Sequence, residues 1–409
     1  MTSTRREAGS GSTYRQVFAV TEFRALWLAQ VLSVGGDQLA RVAVTLLVFS
    51  QTQSPLLAAI AFAASVVPWF IGGLALSGLA DRWPRRRVMI ACDLIRAVLV
   101  AAMALPGLPV AARIGLLFLV TMVGAPFMSA RAALYPDILT GEHYVLGTAV
   151  TLTTLQFAQV VGFAAGGAVV ALVGVRAALL ADAVTFLVSA LISWLWVRPR
   201  PVLTTGPGQP VPAGDPGVRA GLRLVFSSPA LLVPMLLGWL AAFYNAPEGI
   251  AAPLAHELGG GDVAMGLILA AGALGASVGA VAFGRLAGPR QRLRWMNRLA
   301  AMSCAMLILF VFRPPLPLAL LVLLVSGLFD CYQLAANAEF VSAVPARQRS
   351  QAFGIAQGGM NLGQGSAMII AGALAQHYAP SAVVAAAGLL GAVAAAIIGV
   401  LSAVRRPPG

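Results

Sequence analysis

Long apolar runs, each interrupted by a short polar break, follow one another from Phe23 to about residue 403. The runs are about 20 residues long, the length an α-helix needs to cross the hydrocarbon of a bilayer. Hydropathy predicts six spans at 23–49, 56–77, 88–108, 111–130, 145–171 and 177–197. Six more fall at 230–250, 264–284, 295–312, 317–340, 351–375 and 381–403. Pro- and Gly-rich breaks such as LPGLP at 105–109 and RPPLP at 313–317 separate several of them. The first run is longer than the apolar core of about 7–15 residues that a signal peptide carries, so it is expected to stay in the mature chain. The pattern predicts an all-α integral membrane protein with twelve transmembrane helices.

One polar interruption is much longer than the rest. Residues 198–228 contain RPRPVLTTGPGQPVPAGDPG, whose density of Pro and Gly cannot hold a packed core and reads as a linker. It divides the chain into an N-terminal segment (1–22), a six-helix bundle (23–197), the linker (198–228), a second six-helix bundle (229–403) and a tail (404–409). The halves also read as repeats. A shift of about 205 residues lays the basic loop around Asp81 over GRLAGPRQRLR at 284–294.

Composition agrees with a membrane address: 59% of the 409 residues are hydrophobic and 10% charged, against about 25% charged in soluble domains. The mean hydropathy is +0.87. The net charge of +13 does not point to nucleic acid, because every basic residue is Arg and the arginines cluster between apolar runs without interleaved aromatics. Counted over short loops, one side collects Arg5, Arg6, Arg15, Arg24, Arg82, Arg85–Arg87, Arg131, Arg198, Arg200, Arg219 and Arg223. The same side takes Arg285, Arg290, Arg292, Arg294, Arg347, Arg349, Arg405 and Arg406, leaving Arg113, Arg176 and Arg313 for the other. The arginine-rich side is cytoplasmic by the positive-inside rule, which puts both termini and the linker inside a bacterial cytoplasmic membrane.

Cys92, Cys304 and Cys331 stand singly, and His143, His256 and His377 are scattered, so neither a disulfide framework nor a metal site is encoded. No cofactor is expected. With no Lys there is no Walker sequence, so ATP is not the direct fuel. No Ser/His/Asp set supports an enzyme.

A charge inside an apolar span costs roughly 2.5–3.5 kcal/mol on insertion scales, so such residues usually face a cavity or a partner. Asp37 lies near the middle of the first span in VGGDQLARVAV, with Arg41 one turn later on the same face. They form either a locally neutralised ion pair or a carboxylate that gains and loses a proton beside Arg41. Asp330 is a second mid-span acid and the alternative proton site. Glu248, between Pro247 and Pro253, reads as a wet residue near the outer surface.

The stretch SGLADRWPRRR at 77–87 resembles the loop between the second and third helices of the major facilitator superfamily, with consensus G-x-L-A-D-R-x-G-R-[RK]. Leu79, Ala80, Asp81, Arg82, Arg85 and Arg86 fit, whereas Ser77 and Pro84 replace its glycines. A purely topogenic cluster accounts for the arginines but not for Leu-Ala-Asp-Arg. GGDQLARVAVTLLVFSQTQSPLLAA at 35–59 and SARAALYPDIL at 129–139 are similar to the drug-efflux branch that contains enterobactin exporters and macrolide pumps.

The resemblance implies two six-helix bundles, a site between them, and export of a bulky, mostly apolar compound in exchange for protons. The runner-up is uptake or facilitated diffusion, and a non-transporting receptor or scaffold is the alternative of another class. It further implies that Asp81 meets a helix N-terminus of the other half, where the helix dipole favours a carboxylate. Arg82, Arg85 and Arg86 then join a gating network with Asp137, and Asp93 and Arg96 pack against that loop. The first, fourth, seventh and tenth spans line the cavity, nominating Gln38, Phe127, Trp239, Phe243, Tyr244, Asn245, Glu248, Gln333 and Asn337. For the aromatics, core or lipid packing is an equal alternative. The antiporter signature G-P-x-x-G-G appears as Gly162, Phe163, Gly166 and Gly167, keeping close helix packing without the proline kink. The partners implied are lipid, a small molecule and protons, for a monomer.

Overall fold

The computed structural model describes residues 14–76, 83–200, 226, 228–344 and 349–404. Among these residues all regular structure is helical. A short helix α1 (Tyr14–Ala19) precedes α2 (Thr21–Thr52). Glu22, in the first turn of α2, accepts the Arg198 backbone N–H and the Arg200 guanidinium, each at 2.7 Å. The start of the N-terminal half is thereby tied to its end. α2 stops at Gln53, whose backbone turns left-handed (φ 52°). Ser54 then caps α3 (Pro55–Ala63) by accepting the Leu57 N–H, and Pro55 sits where its missing N–H costs nothing. α4 (Val67–Leu76), α5 (Arg85–Met103) and α6 (Val110–Ile138) follow.

The next helix, α7 (Glu142–Trp196), is a hairpin of two helical arms, 142–173 and 175–196. Its interior residue Gly174 has φ 79° and ψ 163°, a conformation that only glycine adopts without strain. Gly147 packs on Phe23 near the start of the first arm, Gly166 on Val42 further up α2, and Arg198, beyond the second arm, bonds Glu22. Both ends of α7 therefore lie at the same end of α2, and the chain reverses at Gly174. The two arms are the spans expected at 145–171 and 177–197.

The span expected at 230–250 is broken into α8 (Pro229–Trp239), α9 (Ala241–Tyr244), α10 (Ala246–Gly249) and α11 (Ala251–Glu257). Pro234, Pro247 and Pro253 each remove a backbone donor from it. Then come α12 (Gly261–Leu286) and α13 (Pro289–Leu307), the latter prolonged by a 3₁₀ turn at Ile308–Phe312. α14 (Leu316–Phe329) and α15 (Tyr332–Ala343) form one span with a break at Asp330. α16 (Arg349–Leu374) and α17 (Pro380–Val404) complete the chain.

Nine of the described helical segments are long and apolar enough to cross a membrane, counting α7 once. Its second arm, the arginine-headed α5 and the Gly/Gln-rich α16 bring the arrangement into line with the twelve crossings expected. Leu172, Phe312, Leu187 and Ile397 are among many large apolar side chains that stay exposed, as an outer face against lipid requires.

Two seams join the halves. At one, the first arm of α7 packs on α12. At the other, α3 and α4 pack on α16, where Gly372 faces Ala59 and Pro55, and Gly365 faces Val67. The end away from the arginine-rich connections is closed by further contacts: Gln376 donates to Ser54 at 3.1 Å, and the rings of Phe49 and His256 meet edge-on.

Candidate functional site

Asp37 sits half-buried on α2, and its cation is not the one its own helix offers. Arg96 of α5 bonds Asp37, donates to Ser33 Oγ at 2.9 Å, and lies 3.8 Å from Asp93. Its guanidinium stacks 4.1 Å from the Phe186 ring centroid, and its side chain is 2% exposed. Asp93 is fully buried and accepts Ser189 Oγ at 2.6 Å. The expected Asp37–Arg41 pair is thus replaced by an inter-helix one. Arg41 instead donates to the Ser65 carbonyl at 3.2 Å, between the rings of Phe62 and Phe163. Arg96 and Asp93 join this network because α5 packs along α6 and α7 and buries both residues there; most of the 77–87 loop they were expected to pack against lies outside the described residues.

This network borders a cavity of about 290 Å³ lined by Asp37, Gln38, Arg41, Arg96, Phe127 and Trp69 among others. Gln38 is almost fully buried, and among the described residues its side-chain carbonyl oxygen has no hydrogen-bond donor. Gln156 and Gln159 of α7 line this cavity and also a larger one of about 550 Å³. The two spaces therefore share a wall that bridges the halves.

The larger cavity takes its other lining from α8 to α10, α12, α14, α15 and α16, including Trp239, Tyr244, Asn245, Glu248, Asp330, Gln333 and Asn337. It reaches Phe340 and Phe353, toward the arginine-rich end. Helix breaks supply its polar groups: Asn245 separates α9 from α10, and Asp330 separates α14 from α15. Discontinuous helices are a recurring way for transporters to present groups at mid-membrane. Ser303 donates to Asp330 Oδ1 at 2.5 Å, Gln333 donates to the Tyr244 hydroxyl, and Trp239 Nε1 donates to the Ala356 carbonyl at 2.9 Å.

Two expectations change here. Glu248 is not a wet outer residue; it lines the cavity within electrostatic reach of Arg41, because the broken span carries it inward. Phe243 does not line the cavity, and Gly391 of α17 packs against its Cβ.

Outside the cavities, Arg85 donates to Asp137 at 2.6 Å and to the Ala133 carbonyl at 2.8 Å. Arg86 bonds the Trp194 carbonyl. Asp81 and Arg82 lie outside the described residues. Gly162 packs on Gln38, Gly166 on Val42, and Gly167 on Gly266 of the other half, while Phe163 is fully buried. Three functional candidates escape the sequence reading: Gln156, Gln159 and Asp182. The two glutamines read as isolated polar positions in an apolar run. Asp182 falls near the outer end of its span, although the rule applied to Asp37 and Asp330 covers it as well.

A family model described as Major Facilitator Superfamily matches residues 26–329 and 249–409. The enterobactin exporter EntS of Shigella boydii serotype 4 is 26% identical over 271 residues, which cover 65% of this chain and 64% of the relative. EntS of Citrobacter koseri matches to the same extent. A bacterial homologue of the human lysosomal transporter Spinster, solved in an inward-facing and occupied conformation, superposes with a TM-score of 0.72. It is 14% identical, with 98% of this chain and 100% of that one covered. The POT family transporter PepTSo gives 0.71 at 11% identity, covering 94% and 98%. By family model and by fold, this multi-pass helical chain belongs to the major facilitator superfamily of membrane transporters.

Proposed function

We propose that this protein exports a lipophilic or amphipathic small molecule across a bacterial cytoplasmic membrane in exchange for protons, by alternating access. The exporter relatives support the direction. The larger cavity supports the substrate class, since its size falls in the 300–1,000 Å³ range of small-molecule sites and its few polar groups sit among apolar and aromatic walls. The bundles at 23–197 and 229–403 are the moving bodies of a monomer, with the linker and both termini cytoplasmic. In that orientation the arginine-rich end is cytoplasmic and the cavity faces the cytoplasm. Asp81 and Arg82, with the Arg85–Asp137 pair, gate that side.

One observation carries the reading: the Asp37–Arg96 pair borders a cavity that shares Gln156 and Gln159 with the larger one. Proton binding at Asp37 releases Arg96, and both events reach the substrate space through that common wall. Asp330 and Glu248 supply acid on the opposite wall, and Arg41 faces Glu248.

Proteoliposomes with an imposed pH gradient provide the test. Asp37→Asn is expected to lose uphill accumulation while keeping downhill counterflow. Uphill accumulation at the wild-type level in Asp37→Asn removes Asp37 from coupling and leaves Asp330.

A further inference from the structure

Asp182, on the second arm of α7, has no part in the scheme above, yet it is fully buried against the charge network. Among the described residues its Oδ2 has no hydrogen-bond partner. Its Oδ1 lies 3.1 Å from the Thr185 hydroxyl oxygen, which itself lies 2.8 Å from the Asp182 backbone carbonyl. A hydroxyl has one proton. That proton is shared between the Asp182 carbonyl and Oδ1, so the carboxyl receives at most one weak donor and Oδ2 receives none among the described residues. An ionised carboxylate would be poorly satisfied there, which favours the protonated acid.

The surrounding charges require the same thing. Asp37 on α2 and Arg96 on α5 are both within electrostatic reach of Asp182. Asp93 on α5 bonds Ser189 and Arg96, and Arg41 on α2 is turned toward Ser65. Three ionised carboxylates would share the single guanidinium of Arg96. An uncompensated buried charge is far costlier than a neutral acid. Asp37 and Asp93 each form an ion pair with Arg96, and among the described residues Asp182 forms none within 4 Å. Gly36, one residue before Asp37, gives the carboxyl its space, since a methyl group there would overlap Oδ1.

We infer that Asp182 is a proton-carrying residue of the transport cycle, neutral in this conformation and exchanging its proton with the cavity by way of Asp37. In the exchange, the O–H bond of Asp182 breaks and one forms on Asp37, while Arg96 moves from the Asp37 carboxylate to the new one on Asp182. Asp37, with its side chain 21% exposed and on the cavity wall, then passes the proton to water. Asp182 is the interior store and Asp37 the port. This inference rests on the antiport reading.

Infrared difference spectra of the full-length protein test the protonation directly. The protonated-carboxyl stretch is expected in the wild type and in Asp37→Asn, and is lost in Asp182→Asn. Thr185→Val, which removes the neighbouring hydroxyl, should shift that band without abolishing it. A band unchanged in Asp182→Asn overturns the inference. Transport of ethidium in proteoliposomes tests the role. Asp182→Asn, isosteric with the neutral acid, should keep counterflow and lose accumulation driven by a pH gradient. If it accumulates ethidium as the wild type does, Asp182 is a fixed neutral group and the inference fails. A wild type that counterflows ethidium yet ignores the gradient fails the antiport reading itself, and with it the carrier role, whatever the band shows.

Discussion

Gly167 of α7 and Gly266 of α12 touch backbone to backbone across the two halves. A methyl group on Gly167 would lie 2.6 Å from the Asp262 carbonyl, and one on Gly266 would lie 2.6 Å from the Phe163 carbonyl. Backbone atoms cannot swing aside as a flexible side chain can, so the contact demands glycine on both helices. This seam is near the reversal at Gly174, toward the closed end where Gln376 bonds Ser54.

Gly167→Ala should therefore weaken the closed arrangement by about 1–3 kcal/mol, the usual cost of overpacking. The measurable consequence is access from the far side. With the three native cysteines replaced, Ser54→Cys should label faster with an external thiol reagent when Gly167→Ala is present. Equal labelling rates would mean that the seam does not hold that end closed.

Arg96 and Arg41 make contrasting partners for the same neighbourhood. Arg96→Ala leaves Asp37 and Asp93 without a cation in a buried site, a loss of about 3–5 kcal/mol. Arg41→Ala removes one hydrogen bond to a carbonyl and two ring contacts, about 1–2 kcal/mol in sum. Thermal unfolding of the purified protein in detergent should show the larger drop for Arg96→Ala. A larger drop for Arg41→Ala would restore the local pairing along α2.

That pair marks where sequence reasoning ends. The apolar runs were legible because span length is set by the bilayer and each run is long. Asp37 was legible as a buried acid, since a charge in an apolar run is costly wherever the chain goes. Its partner was not, because helical spacing reports only neighbours on the same helix, and Arg96 arrives through the packing of α5. The breaks at Asn245 and Asp330 show the same limit from the other side. Pro234, Pro247 and Pro253 accompany the breaks in the seventh span, which hydropathy reads as continuous, whereas no proline stands in GLFDCYQL to mark the break at Asp330. Gln156 and Gln159 gained their meaning only when the first arm of α7 was set between the two cavities.

The Arg85–Asp137 pair has ideal distance and modest worth. Its side chains are 30% and 35% exposed, and exposed pairs contribute about 0–1 kcal/mol. Arg85→Ala is expected to leave the unfolding temperature nearly unchanged. If the pair gates the arginine-rich end, the same variant still alters transport, because a shift of that size biases an equilibrium between two conformations of similar energy. Stability and efflux measured on one preparation separate the two effects. A marked loss of stability would make the pair structural.

The last prediction concerns the charge of the substrate. Glu248 and Asp330 are the only ionisable carboxyls on the wall of the larger cavity among the described residues, and no arginine joins them there. Trp239, Tyr244, Phe340 and Phe353 add aromatic surface, which attracts cations through the ring quadrupole. An acidic, aromatic cavity in a chain of net charge +13 is not a consequence of composition, since 27 basic residues were available to line it. An amphipathic cation should therefore bind more tightly than a neutral or anionic analogue of the same size. Quenching of Trp239 fluorescence, in protein whose other six tryptophans are replaced, reads the affinity directly. Asp330→Asn and Glu248→Gln should each weaken binding of the cation by about tenfold, or ~1.4 kcal/mol, and leave the neutral analogue unaffected. Tighter binding of the anionic analogue would mean that Arg41, across from Glu248, sets the selectivity of the joined cavities instead.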